Sequence, residues 1–252
     1  MSAAQRSSER ESLLESDSPG RGSPTPAEMA RCDDPPVSTY LHLNAFRGVS
    51  AVVAQVGLVL TTTVILRVVK ENPAGLFSYH PSLQALAVLG FVEGVLLLQP
   101  NPVNSSSKKK GIQLHQVFQY TALPLIIAGA TFIVYNKAIK GANHFTTWHA
   151  KAGLVTLCLI ATQILFGAFM LYAPLQRVLG GEGRAKKWWK YHRMSGYVTL
   201  VFLLATPTLA LWSDWLVMNA SQTERNLIGS GLVLTAVGLV TRIRTSKLGF
   251  KR

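Results

Sequence analysis

The sequence predicts an all-α membrane protein of six transmembrane helices, and three observations carry the prediction. The chain is 48% hydrophobic and only 15% charged, where a soluble domain has about 25% charged residues. Six apolar segments, roughly 47–69, 80–99, 115–136, 149–172, 192–213 and 226–243, each come near the ~20 residues that cross ~30 Å of hydrocarbon at ~1.5 Å per residue. Basic residues crowd into alternate connections between those segments. Continuous apolar runs of this length mean helices rather than barrel strands, because a helix satisfies its own backbone in lipid.

Residues 1–38 are rich in Ser, Glu, Arg and Pro and read as a disordered tail without the apolar core of a signal peptide. Residues 39–246 form the transmembrane domain, and 247–252 a short basic C-terminus. The connections are short, so successive spans are antiparallel. With the N-terminus in the cytosol, the N-terminal region through Arg47, the Lys108–Lys110 loop, the Arg177–Arg193 loop and the C-terminal RIRTSKLGFKR together hold 19 of the 25 Lys and Arg. The opposite side keeps only Arg67, Lys70, Lys137, Lys140, Lys151 and Arg225. That asymmetry is the positive-inside pattern and puts both termini in the cytosol. It also accounts for the formal charge of +13 without a nucleic-acid partner and favours contact with anionic lipid. Two cysteines, Cys32 in the tail and Cys158 in an apolar run, exclude a disulfide framework.

Four of the spans begin with histidine: His80, His115, His149 and His192 open spans 2, 3, 4 and 5. Spans 2 and 4 enter from the non-cytosolic side and spans 3 and 5 from the cytosolic side. His80 and His149 therefore share one depth, and His115 and His192 the other. Two neutral imidazoles facing each other across a bundle can hold a haem iron from both sides. Two haems in a four-helix core formed by spans 2–5 follow. Zinc would ask for four ligands in one shell, and no Asp, Glu or Cys cluster accompanies either pair. Four residues on, on the same helix face, stand Gly153 after His149 and Gly196 after His192, where a missing side chain leaves room for a porphyrin. The corresponding positions after His80 and His115 are Gln84 and Gln119, able to bond either a haem propionate or the backbone. His42 reads as a surface residue.

Iron with two imidazoles has no open position, which leaves outer-sphere electron transfer. Lys108, Lys109, Lys110, Lys186, Lys187, Lys190 and Arg193 make the cytosolic mouth basic and suit a small anionic donor, with Lys110, Lys190 and Arg193 nearest the inner ligands. His144 and Lys140 are weaker candidates for an outer acceptor site. Glu93 is the one acid deep in an apolar run, ~20 Å along span 2 from His80. An acid at that depth is a candidate proton relay or a structural hydrogen-bond partner, and Gln163 on span 4 falls at a similar depth.

The stretches FSYHPSLQ, IQLHQ, TTWHAKAG and KYHRMSGY, in that order, resemble those of the cytochrome b561 family, and the likeness runs over about residues 45–245. The resemblance is to the short six-helix members. It implies two haem b groups, ascorbate as the cytosolic donor, and a ferric chelate or monodehydroascorbate as the acceptor on the other side. The implied class is a transmembrane ascorbate-dependent ferrireductase or monodehydroascorbate reductase, with a homodimer as an implied assembly. One stretch departs: LLLQP, residues 96–100, stands where ascorbate-linked members carry an arginine-containing LLVYR-type sequence. Two readings from other classes are a haem-free six-helix transporter or scaffold, and a haem-bearing membrane anchor for a partner reductase. The acidic dileucine ERESLL at 9–14 points to an endomembrane such as vacuole, endosome or ER.

Overall fold

The structure, a computed structural model, describes residues 48–102 and 104–243. The chain separates into Met1–Pro36 and Val37–Arg252, and everything below concerns the second unit. The 1–38 tail with its dileucine, His42 and the 247–252 C-terminus lie outside the described residues.

The described residues form eight α-helices and no strand. Six are long: α1 (Val49–Glu71), α2 (Tyr79–Leu96), α3 (Ser105–Ile139), α4 (Trp148–Leu171), α6 (Glu182–Ala210) and α8 (Gln222–Val240). Two are single short helices, α5 (Ala173–Val178) and α7 (Asp214–Asn219), and a 3₁₀ turn at Gly75–Ser78 leads into α2. Of the six, α1, α3 and α4 are long and apolar enough to cross a membrane by length and composition. The other three carry more polar residues, such as Glu93 in α2, the lysines at the start of α6 and the Gln-Thr-Glu-Arg-Asn opening of α8.

Starts are set by local chemistry. Asn104 accepts from the Ser107 amide at 2.7 Å to cap α3, and Thr147 from Ala150 at 3.2 Å to cap α4. Ser221 and Glu224 form a reciprocal capping box on α8. Pro81 sits in the first turn of α2, where no amide hydrogen is needed. Two starts differ from the hydropathy reading. Helix α3 begins ten residues before His115 and α6 ten before His192, so Lys108–Lys110, Lys186, Lys187 and Lys190 stand on helices rather than in loops. Lysine is a good helix former, and a hydropathy scan registers only the part of a helix that suits lipid. Glu182 and Lys186 pair one turn apart at 2.7 Å on this polar extension.

The long helices pack as three antiparallel pairs, α1 with α8, α2 with α3, and α4 with α6. A core of Leu58, Phe91, Val92, Ile126, Ile160 and Leu203, with partners on α8, runs through all three. The α1–α8 pair is closed by small residues. A Cβ at Gly238 would stand 2.6 Å from Ala54 N, and one at Gly57 would stand 2.6 Å from Thr235 N. Between them Thr235 donates to Gly231 O at 2.8 Å. Backbones in such contact exploit dispersion and polar bonds that lipid cannot compete for.

Gly231 tests that closure. A side chain there meets Gly57 O at 2.7 Å, whereas one at Gly229 meets only Leu211 Cδ1 at 3.4 Å. Gly231→Val should lower resistance to unfolding in mixed SDS micelles by about 1–3 kcal/mol. Gly229→Ala should leave the unfolding curve close to wild type.

Candidate haem-binding centre

The four histidines occupy two kinds of position. His80 and His149 are the second residues of α2 and α4, while His115 and His192 are the eleventh residues of α3 and α6. Antiparallel pairing turns these four places into two ends of one bundle.

Three of the four imidazoles have Nδ1 bonded to a carbonyl of the neighbouring helix. His80 Nδ1–H donates to Gly129 O on α3 at 2.9 Å, and His115 Nδ1–H donates to Gly94 O on α2 at 2.8 Å. His149 Nδ1–H donates to Thr206 O on α6 at 2.9 Å. With the proton held on Nδ1, Nε2 presents its lone pair, the state of a neutral imidazole ligand.

The α2–α3 pair is reciprocal. Gln84, one turn after His80, donates to Ile126 O at 3.1 Å, and Gln119, one turn after His115, donates to Phe91 O at 3.2 Å. Of the two partners the sequence leaves open, propionate or backbone, both glutamines here bond the backbone of the neighbouring helix. Gly94 and Gly129 make the clamp possible. A Cβ at Gly129 would stand 2.9 Å from Gln84 Nε2 and 3.2 Å from Leu83 Cβ; one at Gly94 would collide with Gln119 and lie 3.1 Å from Phe118 Cβ. Sequence reasoning missed these two glycines, although a signal was present. His80, Gln84 and Gly94 repeat the spacing of His115, Gln119 and Gly129, and the histidine of each set bonds the glycine of the other.

At one end the His80 and His149 rings face each other with centroids 6.1 Å apart and planes at 79°. Two imidazoles sharing one metal through bonds of ~2 Å require ring centres roughly 6 Å apart, so the pair fits one iron. Phe77 lies 6.1 Å from His80 and 5.1 Å from Trp215, closing this end with aromatic surface. At the other end His115 and His192 line one cavity of about 940 Å³, within the range of cofactor pockets. Its walls include Phe91, Ile160, Leu200 and Leu203, and its mouth Lys108, Lys187 and Arg193. Phe166 and Trp189 stand 5.9 and 6.0 Å from the His192 ring. Gly167 lies under that ring, where a Cβ would come within 3.3 Å of His192 Cε1.

The remaining sequence candidates divide. A Cβ at Gly153 would meet only Thr206 Cγ2 at 3.6 Å, and at Gly196 only Gln163 Oε1 at 3.7 Å, both ordinary van der Waals contacts, so neither glycine is tightly enclosed. Lys190 and Arg193 line the cavity mouth, as does Lys108, whereas Lys110 is not among its lining residues. Lys190 Nζ also sits 4.8 Å over the Tyr191 ring. His144 is exposed with its ring 6.1 Å from Phe145, and Lys140 is exposed at the C-terminal end of α3. Glu93 does not line the cavity; it accepts from Gln55 on α1 at 2.9 Å. Among the described residues no three His, Cys, Asp or Glu side chains converge to cage a bare metal ion. Porphyrin-bound iron would need only two axial donors, and two histidines stand at each end.

The sequence pattern of the family described as eukaryotic cytochrome b561 matches residues 79–216, a stretch that contains all four histidines. Transmembrane reductase CYB561D2 of Bos taurus is 28% identical over 220 residues, which cover 86% of this chain and 97% of that relative. The Homo sapiens protein of the same name is 27% identical over 216 residues, covering 84% and 94%. Probable transmembrane reductase CYB561D1 of Mus musculus is 30% identical over 161 residues, 63% of this chain and 69% of the relative. With the matched stretch passing through both histidine pairs and over more than half its length, the chain belongs to the cytochrome b561 family, membrane oxidoreductases that carry electrons on b-type haem.

Proposed function

We propose that this protein is a transmembrane reductase with two haem b groups, one held by His80 and His149 and the other by His115 and His192. The six long helices span the bilayer with both termini in the cytosol, following the Lys and Arg asymmetry. Electrons enter from ascorbate at the lysine-rich His115/His192 end. They leave to a ferric chelate or monodehydroascorbate at the His80/His149 end.

The observation that carries this reading is the pairing of imidazoles at two depths, three of them with Nδ1 anchored on a carbonyl of the neighbouring helix. His115 bonds Gly94, fourteen residues along α2 from His80, so the two ends are about 21 Å apart along the bundle. That separation fits inside a hydrocarbon layer of ~30 Å. Haem iron with two imidazole ligands supplies one-electron exchange without a vacant position for oxygen. The protein's own residues do the rest. The Nδ1 bonds fix ring orientation and keep Nε2 as the donor atom. Gly153 and Gly196 leave the ring faces clear. Lys108, Lys187, Lys190 and Arg193 concentrate an anionic donor at one mouth. Glu93 enters this reading as the partner of Gln55 that ties α2 to α1, because it stands outside the cavity.

Purified protein should be coloured, should bind two haems per chain by pyridine haemochrome assay, and should be reduced by ascorbate. His80→Ala with His149→Ala should leave one haem. A colourless preparation would return the protein to a transporter or scaffold, and haem that ascorbate fails to reduce would make it an anchor for a partner reductase. Lys187→Glu with Lys190→Glu should raise the apparent KM for ascorbate several-fold and flatten its salt dependence while haem content holds. Glu93→Gln should leave the rate and pH profile of haem reduction by ascorbate unchanged; a shifted profile would give Glu93 the proton role.

A further inference from the structure

His192 breaks the pattern of the other three ligands. Each histidine faces the residue fourteen places after its partner histidine on the antiparallel neighbour: His80 faces Gly129, His115 faces Gly94, His149 faces Thr206. For His192 the equivalent residue, fourteen after His149, is Gln163. Here the partner of Nδ1 is a side chain. One end of the Gln163 amide lies 3.0 Å from His192 Nδ1 and 3.2 Å from His192 O; the other faces Gly196 N at 3.1 Å and the Ser195 hydroxyl.

We propose that Gln163 is the positioning residue for His192, its side-chain oxygen replacing the backbone carbonyl that serves the other three ligands. The amide has two orientations, and they are not equivalent for a ligand. With its nitrogen toward Nδ1, the amide satisfies His192 O and Gly196 N–H. Nδ1 must then accept, and the imidazole proton moves to Nε2, the nitrogen an iron needs. With its oxygen toward Nδ1, the amide can take Nδ1–H across 3.0 Å and free Nε2, and it donates from its nitrogen to the Ser195 hydroxyl. Its oxygen then opposes His192 O at 3.2 Å and its nitrogen opposes Gly196 N–H at 3.1 Å, a cost that ligand binding at Nε2 must offset. Ser195 is itself anchored, donating to Tyr191 O at 2.7 Å. Amide orientation and His192 tautomer are thus one coupled state, and iron selects the second. A helix carbonyl cannot rotate, so the other three histidines lack this freedom.

The inference rests on the two-haem reading above, and it makes the His115/His192 end the adjustable one. An acceptor on Nδ1–H raises the basicity of the ligand, which favours ferric over ferrous iron. Gln163→Leu removes the acceptor and Gln163→Glu strengthens it. The test is equilibrium potentiometry of the single haem that remains in His80→Ala, His149→Ala protein, with haem per chain and the low-spin ferric EPR signal recorded alongside. Gln163→Leu should raise the potential and Gln163→Glu should lower it, each by about tenfold in the reduction equilibrium, ~59 mV for one electron. If Gln163→Leu sheds its haem, retention by Gln163→Glu at lowered potential still supports the role. Potentials that stay fixed, or move in the same direction in both variants, overturn it. Wild-type protein without haem would instead defeat the two-haem reading itself, so the two failures are distinguishable.

Discussion

The arrangement depends on the hydrogen bond from imidazole Nδ1 to a carbonyl of the antiparallel neighbour. Without it the ring rotates and either nitrogen can carry the proton; with it, Nε2 keeps the free lone pair that a metal ligand needs. A carbonyl inside a helix has a second lone pair to offer, but a side chain on the adjacent helix must come close enough to use it. Glycine at 94 and 129 supplies that closeness in the α2–α3 pair. Because α2 donates from His80 and accepts at Gly94, while α3 donates from His115 and accepts at Gly129, the ends are locked by one register. Sliding either helix by a turn would break the anchors at both ends together.

The α4–α6 pair repeats the register with different residues. Thr206 accepts from His149 through its backbone and tucks its hydroxyl against Phe202 O and Thr156 Oγ1, at 2.8 and 2.9 Å. A short side chain can be disposed of in this way. Gln163, at the equivalent position, instead has its side-chain amide 3.0 Å from His192 Nδ1. The α1–α8 pair holds none of the four histidines and is built differently, from glycine, alanine and threonine at backbone contact. Its place is to back α2 through Gln55 and the shared core.

Much of this was legible in the sequence. The six apolar runs coincide with the six long helices, and the histidines expected to share a depth do lie at common ends of the bundle, His80 beside His149 and His115 and His192 on one cavity. Two things were not. The helical starts of α3 and α6 were hidden because their first ten residues are polar, and hydropathy measures the solvent a helix suits rather than whether it is a helix. Gly94 and Gly129 were hidden for a different reason. The i to i+4 comparison looks along one helix, whereas the acceptor sits across an interface whose register depends on how two helices meet. The equal spacing of His80, Gln84, Gly94 and His115, Gln119, Gly129 becomes meaningful once those two segments are known to lie antiparallel.

The two ends differ in a way that bears on direction. His80 and His149 meet ring to ring at 6.1 Å behind Phe77 and Trp215. His115 and His192 stand on a cavity that continues outward to lysines on helical extensions. A helix holds a charged side chain at a fixed height and azimuth, which a loop does not. Lys108 from α3 and Lys187, Lys190 and Arg193 from α6 therefore converge on one opening from two sides. Such a rim raises the local concentration of an anion before any contact is made, and its pull extends about a Debye length of ~8 Å at physiological salt. The polar extensions that hydropathy overlooks are thus what distinguish the two ends of an otherwise near-symmetric bundle, and they place its basic mouth beside His192, whose Nδ1 faces the Gln163 amide.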